Sequence, residues 1–276
     1  MRNSWAVCKR EFESLFSTPV GYVVLGTFAL ISGLSFTASF LFYGVMSASP
    51  STYDFPAVPN FEETFLSPYL VYSGMIMLFI APLITMRLLA EEKNQGTIEM
   101  LLTHPLRDRE IIAGKYGAAL LMLTLMMVTV MLNLGIVYYF VDVEPAVLIF
   151  GLATFFLMGA AFLSLGLFVS SVCSNQITAA TVTFGLFFLS FIMSYYAEEM
   201  PETAPAPEGW PDSAKTFIAH TYDLVRSVVA ELPVDAHAKD MAQGILQPYD
   251  IVYYILFSAF FLFLTFRSLE SRKWRG

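Results

Sequence analysis

Six long apolar runs organise the chain, at 20–46, 68–89, 112–140, 146–170, 177–197 and 249–266. Each has roughly the 20 residues that a helix needs to cross a bilayer. Apart from Arg87 and Lys115 near their edges, the runs hold no Lys or Arg. The pattern predicts an all-α, polytopic membrane protein with six transmembrane helices. Pro82 falls inside the second run. A kink is expected there, because neighbours in a membrane bundle can re-satisfy the freed carbonyl. Tyr138, Tyr139, Tyr195, Tyr196, Tyr249, Tyr253 and Tyr254 stand at span ends, the headgroup depth that amphipathic rings prefer.

Three polar segments outside the runs carry a helical period. Residues 2–17 put Trp5, Cys8, Phe12, Leu15 and Phe16 on one face, with Lys9, Arg10, Glu11 and Glu13 largely elsewhere. This predicts an interfacial elbow helix before Pro19 turns the chain into the bilayer. Trp5 and Phe12 should face the membrane or the bundle, and Lys9 and Arg10 the headgroups. In 90–110, Asn94 to Gly96 is turn chemistry. Thr97 can cap a following helix, Glu99 in its first turn suits the dipole, and Pro105 ends it. Ile98, Leu101 and Leu102 then share a face, and such a stripe on a loop helix needs a covering surface. On the residues alone that surface is either another protein or this chain's own helices. Residues 212–232 repeat Phe217, Ile218, Val225, Val228, Val229 and Leu232, an amphipathic helix closed by Pro233. The preceding 200–211 stretch is Pro-rich and irregular.

Composition agrees: 57% of residues are hydrophobic, 14% are charged and the mean hydropathy is +0.63, against about 25% charged in soluble domains. The net charge of −8 conceals an asymmetry. With both termini on one side, twelve Lys and Arg fall there and three on the other. Orientation follows that bias, so both termini and the 90–110 loop are expected in the cytoplasm, at the inner membrane. The 198–248 loop, with nine acids, is expected outside. No basic stripe suggests nucleic acid. The first run is too long for a signal-peptide core of about 7–15 residues. Cys8 and Cys173 are too far apart in sequence for a disulfide framework and read as packing residues.

Familiar catalytic signatures are missing from the sequence. It has no GxxxxGK[ST] phosphate loop, no HExxH pair and no GxSxG elbow. His104, His220 and His237 lie in separate loops, without metal-ligand spacing. The spans carry few ionisable groups, whereas ion-coupled transporters keep them there. Gly151, Gly159, Ala160, Ser164 and Gly166 read as close helix packing. No cofactor is expected on this chain.

Three stretches carry a family resemblance. The first is Glu91-Glu92-Lys-Asn-Gln-Gly96-Thr97-Ile98-Glu99-Met-Leu101-Leu102-Thr-His-Pro105, followed by Glu110 to Gly114-Lys115. The second is Gly166 to Ser170-Ser171 with Asn175-Gln176 and Ala179-Ala180, and the third runs from Gly244 through Asp250 and Tyr253 to Trp274. The chain resembles the ABC-2 permeases, most closely the gliding-motility-associated ABC transporter permeases. The resemblance implies one ABC-2 transmembrane domain over 1–276, of the type V exporter kind. It implies an elbow helix at 2–17 and a coupling helix at about 91–105 docking on a nucleotide-binding ATPase subunit, which carries the ATP and Mg. It also implies a second permease half, either a copy of this chain or a related permease with an extracytoplasmic domain. The leading expectation is an ATP-driven exporter permease. A force-transmitting or assembly subunit of the same architecture is the alternative, and a secondary transporter or channel the remote one.

Overall fold

The computed structural model describes residues 2–48, 60–96, 107–141, 143–201, 204, 212–238 and 247–272. No strand occurs among them, and helix follows helix. The elbow α1 is Arg2–Ser17 and α2 is Pro19–Ala48. A short π-helical turn, Glu62–Leu66, leads into α3, Ser67–Thr85, and α4 is the short Ala90–Asn94. Then come α5 at Asp108–Phe140, α6 at Pro145–Val172 and α7 at Gln176–Glu199. The chain closes with α8, Asp212–Glu231, and α9, Pro248–Arg272. Prolines open α2, α6 and α9, the first helical position where a missing N–H costs nothing.

Among the described residues six stretches are long and apolar enough to cross a membrane: Pro19–Ala48, Glu62–Asn94, Asp108–Phe140, Pro145–Val172, Gln176–Ala197 and Pro248–Ser271. The protein is therefore an all-α polytopic membrane protein. Six crossings put both termini on the same side, called here the terminal side. α6 is the hub, packing on α3, α5, α7 and α9. Its glycines make this possible: Gly151 faces Leu70, Gly159 faces Leu123 and Gly166 faces Thr85, with no room for a Cβ. α2, α7 and α9 turn most of their surface outward. That exposure is stable only in lipid or against a partner.

The expected kink at Pro82 takes a different form. α3 ends at Thr85, one turn beyond the proline, and residues 86–89 form a turn before α4 begins. The second crossing is thus interrupted near its terminal-side end. The break frees the first N–H groups of α4, and a neighbour satisfies them: Ser170 Oγ of α6 accepts from Leu89 N at 3.2 Å and Ala90 N at 3.0 Å. A hydroxyl supplied by another helix replaces the usual N-cap.

Candidate coupling site

The site grows from α4 and the two helices beside it. After the four-residue turn that follows α3 the chain enters Ala90–Asn94, and Gly96 follows with φ 69°. Only glycine adopts that left-handed conformation without a Cβ penalty, which is why it ends the helix. Lys93 extends to the C-terminal end of α6, its Nζ bonding the carbonyls of Ser171 and Cys173. A cation at the negative end of a helix dipole is favourable. Ser268 of α9 also donates to the Ser171 carbonyl, at 3.2 Å. One end of α4 is thereby fixed by Ser170 and the other by Lys93, both contacts being to α6.

On its opposite flank α4 meets a buried charge cluster. Lys115, in the second turn of α5, has a side chain only 1% exposed. Its Nζ lies 2.9 Å from Glu92 Oε1 of α4 and 3.2 Å from Glu11 Oε1 of α1. The ammonium approaches both oxygens off the hydrogen-bonding direction, so these are charge contacts rather than aligned hydrogen bonds. Arg10 completes the set, 2.7 Å from Glu11 and 3.5 Å from Glu92. Two cations and two carboxylates give a neutral quartet. The Glu11 hydrogen bond, followed by the charges of Glu11 and Glu92, outweighs burial and holds the Arg10 guanidinium even more firmly protonated than usual. Removing a partner from such a set leaves a buried charge uncompensated, a far larger loss than at a surface pair.

α1 lies where this geometry needs it. It packs on α5 through Val7 and Cys8, both buried. A Cβ on Gly114 would sit 2.6 Å from Val7 Cβ and 2.9 Å from the Ser4 carbonyl oxygen, and one on Gly117 3.3 Å from Cys8 Sγ. The two helices can touch only because α5 has glycine at both positions. Burial also pushes the Cys8 thiol pKa upward, the behaviour of an inert packing cysteine.

The candidate residues read from the sequence divide three ways. Glu91, Glu92 and Gly96 lie on α4 and its exit, with Glu91 accepting from Gln95 Nε2 at 3.2 Å. Thr97, Ile98, Glu99, Leu101, Leu102 and Pro105 lie outside the described residues. Of the elbow residues, Phe12 is half-buried and stacks near Phe16, ring centroids 5.0 Å apart. Trp5 points outward at 62% exposure, and it is Val7 that faces the bundle. Lys9 is exposed, 3.7 Å from Glu13 one turn on. Arg10, expected at the headgroups, keeps its side chain 58% exposed and also joins the quartet.

Three features escaped the sequence reading. In the sequence Lys115 sits at the edge of a run and looks like one more basic residue of its loop. Ser170 and Lys93 had no visible partner. On the far side, His237 is 8% exposed and Asp250 1%. His237 Nδ1 lies 2.8 Å from Asp250 Oδ1 and Nε2 lies 3.0 Å from the Glu231 carbonyl oxygen. A carbonyl only accepts, so Nε2 carries a hydrogen. With Tyr254 donating to the Val234 carbonyl at 2.9 Å, this clasps the 231–238 turn onto the start of α9. Among the described residues no cluster of His, Cys, Asp and Glu could hold a metal.

Known proteins match this sequence. Residues 5–210 match the profile of the ABC-2 family transporter proteins, a stretch that runs from within α1 past the end of α7. The probable multidrug ABC transporter permease YbhR of Escherichia coli K12 is 31% identical over 147 residues, 52% of this chain, and its counterpart in E. coli O157:H7 matches equally. The match spans only 39% of those relatives' length. With three quarters of its length inside the family profile, the chain belongs to the ABC-2 family of transporter proteins.

Proposed function

We propose that this chain is the permease subunit of an ATP-driven exporter and that the segment after Gly96 is where a separate ATPase pushes on it. What carries the reading is the position of α4. It leaves the interrupted second crossing, is fixed to α6 through Ser170 and Lys93, and shares Glu92 with Lys115 of α5 and Arg10 of α1. A displacement entering at 97–105 would reach the elbow and three crossings through these few polar contacts. ATP and Mg belong to the ATPase. Thr97, Ile98, Glu99, Leu101, Leu102 and Pro105 form the docking face, with Glu91 and Glu92 at its root. A second permease half covers the outward faces of α2 and α7, the assembly sits in the inner membrane, and both termini are cytoplasmic.

The likeness to YbhR, a probable multidrug permease, favours a small-molecule cargo. A cavity of about 400 Å³ between α3, α6, α7 and the 235–238 turn, with Glu63 and Asp235 among its lining residues, is large enough for one. One observation favours force transmission instead, the role that a gliding-motility-associated permease would suggest. The far-side helix α8 shows Phe217, Leu224 and Val228 to the exterior, a face suited to an external partner. Stimulation of ATP turnover by a cargo separates the two readings.

Docking is tested by pull-down of the ATPase with tagged permease, with ATP turnover measured in the same detergent. If Leu101 and Leu102 fill a groove on the ATPase, each contributes about 1.5–3 kcal/mol. Leu101→Asp costs more than that, because a charge would be buried unpaired. The variant should reach the membrane at normal levels, yet neither capture nor stimulate the ATPase. Unchanged capture and turnover would remove the docking site from this segment.

A further inference from the structure

A groove of about 480 Å³ lies between α5 and α9 at the terminal side, lined by apolar residues that include Ile112, Tyr116, Leu120, Leu262 and Phe266. Arg109 stands at its charged end, the guanidinium 5.4 Å from the Phe266 ring centroid. Its neighbours are matched. Glu270 takes Arg267 at 2.8 Å. Glu110 accepts from the Arg107 backbone N–H at 3.1 Å and from Asn3 at 3.4 Å. Asp108, beside it in sequence, has an interaction of its own. Arg109 is exposed and has no carboxylate partner among the described residues. From Arg109 to Leu120 the groove follows α5 for about 16 Å, at 1.5 Å per residue. That is the depth of one leaflet in a hydrocarbon core ~30 Å thick.

We infer that this groove binds one anionic phospholipid, its phosphate on Arg109 and an acyl chain laid along Ala113, Tyr116 and Leu120. The length fits a chain that runs from headgroup to midplane. The unmatched guanidinium, held by Phe266 at the mouth, selects a net negative headgroup over a zwitterionic one. A soluble apolar ligand would need no cation there, and a helix from a partner would place none of its charge at that point by necessity. The site is independent of the docking segment, so each can fail while the other stands.

The test uses the wild-type permease and its Arg109→Gln, Arg109→Lys and Ala113→Phe variants, each reconstituted in vesicles of mixed phosphatidylglycerol and phosphatidylethanolamine. After extraction in mild detergent, the phospholipid retained per chain is measured, with elution volume as the check on folding. Wild type should retain phosphatidylglycerol preferentially. Arg109→Gln should lower that preference about fivefold, equivalent to the ~1 kcal/mol that one arginine contributes at an anionic surface. Arg109→Lys should keep most of it. Ala113→Phe should lose the bound lipid although the arginine remains. Undiminished phosphatidylglycerol retention by Arg109→Gln or by Ala113→Phe overturns the site. So does a disulfide between two copies of a Phe263→Cys permease in the membrane, which would make this face a contact between copies.

Discussion

Lys115 decides how the terminal-side end of the protein holds together. A lysine side chain 1% exposed persists only because Glu11 and Glu92 stand within 3.2 Å of it. Ionisable groups so placed are expensive and are kept for a function or a fixed geometry. Lys115→Met should therefore destabilise the permease by about 3–5 kcal/mol, since it leaves Glu11 and Glu92 facing each other with only Arg10 between them. Thermal unfolding in detergent measures this. The double variant Lys115→Met with Glu92→Gln should recover part of the loss, because it removes the carboxylate left unmatched and leaves Glu11 paired with Arg10. A single variant that melts like wild type would mean the quartet contributes nothing to stability. Gly96 makes a second residue-scale case. At φ 69°, a β-branched side chain is strained, so Gly96→Val should weaken ATPase capture less than Leu101→Asp does, and leave membrane levels unchanged.

At the scale of elements, the contact of α1 with α5 is the one most open to a single substitution. Gly114→Leu places side-chain atoms where Val7 and the Ser4 carbonyl already sit. Overpacking of this kind costs about 1–3 kcal/mol, and the cheapest relief is for α1 to lift from α5. Cys8 reports the movement, because its thiol is 5% exposed in the packed state and is held protonated by burial. Maleimide labelling of Cys8 should be slow in wild type and much faster in Gly114→Leu. Equal rates would mean that the elbow stays docked, with the strain absorbed elsewhere. The same pair of helices shows how far the sequence could be read. The elbow's extent and the six apolar runs were legible because a 3.6-residue period and uninterrupted hydropathy are local signals. Val7 as the inward residue was not, since Trp5 and Phe12 outweigh it on hydrophobicity while the choice of face depends on where α5 puts its glycines. Nor was the quartet, whose members come from positions 10, 11, 92 and 115 and meet only in the folded bundle. The break after Pro82 was visible as a disturbance. Its repair by Ser170 was not, because a hydroxyl more than 80 residues away has no sequence signature.

For the whole molecule, the question with most consequence is which way the bundle faces. Parity of six crossings puts α4, the quartet and both termini on one side and α8 on the other, whatever the orientation. The bias of Lys and Arg, twelve against three, predicts that the terminal side faces the cytoplasm, where an ATPase could reach it, and that the acidic loop bearing α8 lies outside. Two exposed positions, one on each side, test this without disturbing the core: Asn94 just before Gly96, and Phe217 on α8, the latter 72% exposed. In a background with Cys8 and Cys173 replaced by Ala, Phe217→Cys should react with a membrane-impermeant maleimide on intact cells. Asn94→Cys should react only after the membrane is permeabilised. The reverse pattern would put α4 and the quartet outside, beyond the reach of any cytoplasmic ATPase, and the coupling proposed for the segment after Gly96 would fall with it. The lipid groove at Arg109 would then belong to the outer leaflet, with its chemistry unchanged.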